Sequence, residues 1–379
     1  MKLKRILIAP DSFKESLSAH RVAECLKSGI EKALPGVEFD LAPLSDGGEG
    51  FMEAMTAGTG GYKKSCRVHD ALMRPISAEV GFSPDGQVAF IEMASASGIE
   101  HLTPEERNPL VTSTFGTGEL MLFAMQQGCS KIIMGIGGSA TNDGGAGMAQ
   151  ALGAKLLDEN GIVLQPGGGN LQKLHQIDLS ALQKNLPEII VACDVENPLT
   201  GPTGASAVYG PQKGATPEMV QMLDKNLVHF AKIIRNQLNI EIETVAGAGA
   251  AGGLGGGLMA FTNARLMNGF QLIADTLQLE KRIATANLII TGEGRIDAQT
   301  LNGKAPFGVS QLAKKHGKLV FGVAGTLGVG HERLYQNGFD LLLSIINKPM
   351  TLDFAMQNAE QLVTATGFQI GNILKMKQK

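Results

Sequence analysis

Residues 5–50 read RILIAPDSFKESLSAHRVAECLKSGIEKALPGVEFDLAPLSDGGEG, and this stretch decides the fold class. Arg5 to Ala9 is a short apolar run ending at Pro10-Asp11-Ser12, the pattern of a buried strand. From Ser16 to Leu34 the apolar residues Leu17, Val22, Leu26, Ile30 and Ala33 keep helical spacing. Ser16 or Ser18 can cap the start, and Pro35-Gly36 ends it. Val37 to Leu44 is a second strand, followed by Ser45-Asp46-Gly47-Gly48-Glu49-Gly50 and a short helix. Strand, helix, strand, loop, helix at this spacing predicts a parallel α/β sheet.

The same rhythm returns near the carboxyl end. Leu288 to Thr291, Leu319 to Val323 and Leu341 to Ile346 read as buried strands with helices between them, and a closing helix is expected from about Leu352 to Lys375. The middle reads differently. Ala78 to Phe82, a Ser83-Pro84-Asp85-Gly86 turn and Val88 to Ile91 predict an antiparallel hairpin. Lys131 to Ile136 and Glu188 to Ala192 are further buried strands, and Pro217 to Leu238 is a strongly amphipathic helix. The expected fold is therefore α/β with two domains. Residues 1–70 plus 285–379 form a discontinuous parallel-sheet domain, residues 71–284 an inserted mixed α/β domain, and the active site is expected in the cleft.

Composition narrows the function. A chain of 379 residues suits two domains by length, and 44% hydrophobic with 18% charged residues suits a buried core rather than disorder. With 33 basic against 36 acidic residues, net -3, and no block of like charge, there is no basic face for nucleic acid. Four dispersed cysteines without a Cys-x-x-Cys pair, and seven histidines without helical ligand spacing, argue against zinc and a disulfide framework. The five-residue apolar run after Lys4-Arg5 is too short for a signal peptide, and no stretch reaches the roughly 18 apolar residues of a membrane span. A cytoplasmic protein is expected. The chain is compatible with a homodimer.

Glycine is the outlier: 49 of 379 residues, about 13% against a usual 7%. The glycines cluster at the ends of apolar runs, in five loops that also carry Asp, Glu, Ser, Thr or Lys. These are residues 10–16, 45–50, 135–145, 193–199 and 291–297. The carboxyl ends of parallel strands are where α/β folds place ligands. Loops of this kind offer bare N–H groups to phosphate, a lysine or arginine for charge, and carboxylates for Mg²⁺ or a hydroxyl proton, the parts that phosphoryl transfer needs. Singly, each has a plainer reading; Asp11 and Asp143 would serve as helix caps. Five together favour function. Thr300 to Lys304 precedes a helix, a favourable place for an anion, although a surface lysine near a cap is the simpler account.

Two nucleotide-binding motifs bear on the glycine-rich stretches. No Gly-x-x-x-x-Gly-Lys-[Ser/Thr] occurs, which excludes a P-loop enzyme. Gly247, Gly249 and Gly252 fit Gly-x-Gly-x-x-Gly after an expected strand from Glu241 to Ala246, but the acid expected about 20 residues on is missing. Close helix packing or a lid explains this glycine run as well.

At these loops the chain resembles the bacterial type I glycerate kinases. The resemblance is carried by Ile8 to Ala19, Asp46 to Gly50, Gly137 to Gly147, Asp194 to Leu199, and Thr291 to Asp297 followed by Gln299-Thr300 and Gly303-Lys304. These segments span nearly the whole chain in the family's order. Phe51 stands where the family leads one to expect a small residue, often Thr. The resemblance implies a two-domain α/β enzyme that phosphorylates D-glycerate with ATP and Mg²⁺, in disposal of glyoxylate or sugar-diacid carbon. It is nearer to the 2-phosphoglycerate producers than to those making 3-phosphoglycerate.

The residue roles follow from chemistry rather than from the family. Lys14 or Arg295 is assigned to the substrate carboxylate, with the Gly137 and Gly138 amides as a second option. Asp11 or Asp194 is assigned to accept the hydroxyl proton. Asp46 and Glu49 are candidates to hold Mg²⁺ or its waters. Gly137, Gly138, Ser139, Thr141 and Asp143, with Gly292, Glu293, Thr300 and Lys304, are assigned to the nucleotide phosphates. An NAD-dependent oxidoreductase using Gly247 to Gly252 and a non-catalytic small-acid sensor are the rival readings.

Overall fold

Ile6, Leu7 and Ile8 are wholly buried because the strand Arg5–Ile8 runs through the middle of a sheet, between Leu288–Ile296 and Glu38–Leu41. The computed structural model describes residues 3–45 and 47–376. The described residues fall into two compact units: one holds those up to Ser45, 53–60 and Phe270 onward, the other 47–52 and 61–269.

In the first unit five strands lie in the order Leu341–Ser344, Leu319–Leu327, Leu288–Ile296, Arg5–Ile8 and Glu38–Leu41, all parallel. Strands from both ends of the chain thus share one sheet, as the sequence predicts. The helix Ala19–Ala33 starts from Ser18, whose hydroxyl accepts from the Arg21 N–H. It packs on the closing helix Ala359–Met376 with almost no room between backbones. A Cβ on Gly29 would fall 2.1 Å from the Thr364 carbonyl oxygen, and one on Gly367 2.6 Å from that of Leu26. Glycine inside a helix weakens it by roughly 1 kcal/mol, and here close packing of Leu26, Ile30, Val363 and Ile370 in the core offsets that cost. The closing helix is broken at Asn358 from a short helix, Leu352–Gln357, rather than continuous as expected.

The second unit is built on a six-stranded mixed sheet. Arg265–Met267, Glu188–Ala192, Lys131–Gly135 and Val88–Glu92 are parallel, while Pro75–Phe82 and Tyr62–His69 complete it antiparallel. The hairpin expected around Ser83 to Gly86 is present, with Gly81 paired to Phe90 and Phe82 to Ala89. The helix Pro217–Leu238 matches its sequence pattern, capped by Thr216 and ended by Asn239 in the left-handed region. The sequence boundaries lay near 70 and 285, whereas Tyr62–His69 pairs within this sheet and the helix Leu279–Thr285 belongs to the first unit.

Two local readings are corrected. Residues 291–297, expected as a loop, continue the strand to Ile296, paired with Leu319–Leu327 out to Leu327. The glycines permit this: a Cβ on Gly292 would lie 1.9 Å from the Val323 carbonyl oxygen, and one on Gly325 2.4 Å from that of Gly294. Residues 241–246 form no strand. The Glu243 N–H bonds to the Glu241 side chain, and the Glu243 carbonyl accepts from the Leu199 N–H, so no ladder partner remains.

No helix among the described residues is long and apolar enough to cross a membrane.

Candidate functional site

In the first unit the expected residues gather where the parallel strands end. Asp11 follows the strand Arg5–Ile8, is buried, and its N–H bonds to the Gly292 carbonyl oxygen at 2.8 Å. Beyond it Phe13 and Leu17 exchange two backbone hydrogen bonds, with Glu15 in the left-handed region at φ 61°. This tight turn leaves Lys14 exposed and lays the Phe13-Lys14 backbone beside Gly294. Gly292 therefore has a packing reason to be glycine, because it lies in the strand against Val323.

Glu293 points its carboxylate into a small built cluster. One oxygen accepts from the Thr300 hydroxyl at 2.7 Å, the other from the Lys304 ammonium at 2.8 Å. Burial raises its pKa, while Lys304 and Thr300 pull the other way; burial prevails. Lys304 stands at the N-cap of the helix Ala305–Lys315, whose second residue is Pro306, so a cation and a helix N-terminus coincide. Arg295 is exposed and pairs with Asp297 at 2.8 Å, and Asp297 in turn accepts from the Gln299 N–H.

In the second unit the loop after Lys131–Gly135 is the centre. Only Gly137 and Gly138 reach the surface; Ser139 to Ala149 are buried. The Gly137 N–H is used by the Gly47 carbonyl oxygen at 3.3 Å. The bridge between Gly98 and Ser139 uses the Gly138 carbonyl and the Ala140 N–H, which leaves the Gly138 and Ser139 amides without an acceptor among the described residues. Of the two amides named from the sequence, that of Gly137 is engaged and that of Gly138 is not. Thr141 and Asp143 are wholly buried. Both Asp143 oxygens are taken by the Thr114 hydroxyl and by the N–H groups of Thr114, Gly145 and Gly147. Burial still raises its pKa. Asp143 shapes the loop and accepts from the Gly147 N–H in the first turn of the helix Ala146–Ala151, whose N-cap is Gly145 and carries no side-chain cap.

The loop 47–50 lies against this one. A Cβ on Gly137 would meet Gly48 Cα at 2.6 Å, and one on Gly47 would meet Ala192 Cβ at 3.0 Å. Glu49 is exposed, and Asp46 lies outside the described residues. Phe51, unexpected beside Gly50, is wholly buried with its ring against Gly135. Glu92, the last residue of its strand, accepts from the N–H groups of Gly50 and Met52, and burial pushes its carboxyl up to about 7. Asp194, exposed beyond Glu188–Ala192, accepts from the Asn268 side chain at 2.6 Å and the Gly269 N–H at 2.8 Å.

One group escaped the sequence reading. Lys213 is 1% exposed, and its ammonium donates to the Ser139 hydroxyl oxygen and the Thr141 carbonyl oxygen, both at 2.7 Å. Burial brings its pKa down to about 7. The signal available was Gly210-Pro211-Gln212-Lys213-Gly214, a lysine enclosed by turn-forming residues. Gly247, Gly249 and Gly252 are accounted for by packing. Cβ atoms on Gly249 and Gly252 would fall 2.1 Å from the Pro198 and 1.9 Å from the Thr141 carbonyl oxygens, and no strand precedes them.

For Mg²⁺, no group of three or more His, Cys, Asp or Glu residues able to hold a metal occurs among the described residues. An ion that takes one or two protein carboxylates and otherwise phosphate oxygens and water does not require one. The exposed carboxylate of Glu49, whose charge is felt by Glu92 and Glu100, fits that donor chemistry.

The model of the glycerate kinase family matches residues 6–375. Similar proteins include glycerate 2-kinase of Escherichia coli, 49% identical over 94% of each chain. Glycerate kinase of Halalkalibacterium halodurans is 46% identical over 95% of this chain and 96% of its own, and that of Bacillus subtilis 46% over 98% of each. A crystal structure of a protein named as a glycerate kinase 2 from Salmonella typhimurium LT2 superposes with TM-score 0.89 at 47% identity, covering both chains completely.

Proposed function

The chain belongs to the glycerate kinase family, and on that premise we propose that it transfers the γ-phosphoryl group of MgATP to the C2 hydroxyl of D-glycerate, giving 2-phosphoglycerate and ADP. The enzyme class, a kinase acting on an alcohol group, follows from the family. The choice of C2 is supported by the Escherichia coli relative named a glycerate 2-kinase. A reaction that consumes ATP suits the cytoplasm.

The observation that carries the chemistry is the pair of unengaged amides at Gly138 and Ser139 on a strand-end loop. Two adjacent N–H groups suit one oxyanion, and phosphoryl transfer depends on positioning and charge stabilisation. In this reading the 137–143 loop and the Glu293, Thr300 and Lys304 cluster serve the nucleotide phosphates, with Thr141, Asp143 and Gly292 as supports. Lys14 or Arg295 receives the glycerate carboxylate. Asp11 or Asp194 accepts the hydroxyl proton; a carboxylate suffices when the transition state is loose. Glu49 and Asp46 would hold Mg²⁺ or its waters, and the ion when bound neutralises charge across the phosphates.

The test is ADP release by the purified protein with ATP and D-glycerate, with and without Mg²⁺. Release that needs all three supports the reading. Release independent of D-glycerate, or undiminished after chelation, overturns it.

A further inference from the structure

We propose that Lys213 is a positioning residue for this reaction: its ammonium group holds the Ser139–Thr141 turn so that the Ser139 hydroxyl and the Gly138 and Ser139 amides all present donors to one substrate oxyanion. The inference rests on the function proposed above.

Once protonated, as with an anion bound on the loop, Lys213 only donates, so it occupies a lone pair on Ser139 Oγ and leaves the Ser139 O–H free to donate elsewhere. Its second bond, to the Thr141 carbonyl oxygen, pins the loop two residues further on. The hold is rigid. Lys213 ends a single 3₁₀ turn, Pro211–Lys213, and Gly214 follows at φ +89°, where a Cβ would fall 2.2 Å from the Arg107 carbonyl oxygen. No ion pair with Lys213 occurs among the described residues, and the carboxylate whose field reaches it, Asp143, spends its oxygens on Thr114, Gly145 and Gly147. Tyr209, ending the adjacent helix, and Arg107 are titratable groups on the segments packed beside it, and the helix Pro217–Leu238, which meets Gly210, carries Glu218, Asp224 and Lys225. A buried cation without a carboxylate partner is costly, and an anion arriving on the loop offsets that cost. Beside it the Thr141 hydroxyl and the Asn142 side-chain oxygen are buried without partners, while the Thr112 hydroxyl donates to the Ala140 carbonyl oxygen and the Asn142 amide to Ser206, so Lys213 shares the hold on the turn with Thr112. The oxyanion is a nucleotide phosphate or the glycerate carboxylate, two sources of one chemistry.

The test compares Lys213→Met, Ser139→Ala and the double variant by steady-state kinetics at pH 7.5, each with its melting temperature. Each single variant is expected to lose roughly 100- to 1,000-fold in kcat/KM, on the order seen for one oxyanion donor, and the double variant to be no worse than the weaker single. Loss concentrated in the ATP parameters identifies a phosphate, and loss in the glycerate parameters a carboxylate. Multiplicative losses in the double variant, or unchanged kcat/KM for both substrates in Lys213→Met, overturn the proposal. Should Lys213→Met fail to fold, calorimetry of ADP and of D-glycerate binding to the wild type, in two buffers of different ionisation heat, decides. Proton uptake with one ligand at pH 7.5 supports the link between anion and ammonium, and uptake with neither refutes it. Absence of turnover in the wild type strikes the function above, while the ADP calorimetry still reads this inference.

Discussion

Lys304 donates to Glu293 at 2.8 Å, tying the N-cap of the helix Ala305–Lys315 to a buried carboxylate in the strand Leu288–Ile296. With Thr300 on its other oxygen, Glu293 is satisfied at both ends. Lys304→Met is expected to strand that carboxylate and cost about 1–2 kcal/mol, since the lysine itself is partly solvated. Adding Glu293→Gln should recover much of the loss. Urea denaturation of the two single variants and the double measures this, and additive losses would show that the pair is uncoupled.

Stability should also depend on Glu92. Its carboxyl titrates at about 7 in the folded chain against an ordinary 4.5. Between those values the unfolded chain has lost the proton and the folded one keeps it, so this group lowers stability as pH rises from 4.5 to 7 and adds nothing further above. Glu92→Gln removes that slope. Its stability relative to wild type should improve by a few kcal/mol from pH 5 to pH 8. Chemical denaturation at both values tests this, and parallel curves would contradict it.

Gly252 and Gly36 form a matched contrast. Both have positive φ, 70° and 85°, but a Cβ on Gly252 meets the Thr141 carbonyl oxygen at 1.9 Å while one on Gly36 meets nothing within 4 Å. Gly36→Ala should cost about 1 kcal/mol through backbone strain alone. Gly252→Ala should cost more than about 3 kcal/mol and displace the loop that carries Ser139. Equal melting temperatures would mean that the close approach is absent.

Much of this was legible in the sequence because local patterns decide it. The strand at Arg5 to Ala9 and the helix at Pro217 are set by periodicity and by turn or capping residues beside them, and tertiary packing does not override those signals. Glycine was harder to read. Gly29 and Gly367 look like helix breakers, and Gly292 and Gly294 like loop residues, until a neighbouring backbone explains the missing side chain. The strand from Glu241 to Ala246 failed for a related reason: short runs of apolar and acidic residues pair only if a partner edge is free. Lys213 was out of reach because nothing local distinguishes a buried lysine from a solvated one; its place is set by Ser139 and Thr141, more than 70 residues away. Asp143 was read as a candidate for the nucleotide phosphates because it sits in a glycine-rich loop; that its oxygens are spent on Thr114, Gly145 and Gly147 depends on packing that no local pattern shows.

The most direct test of the account is the ³¹P spectrum of the product formed from D-glycerate and MgATP by the purified protein. The account predicts a single phosphomonoester on the C2 oxygen, appearing in step with ADP. Phosphate on the C3 oxygen would contradict the proposed regiochemistry, and no phosphorylated product with ATP intact would contradict the kinase itself.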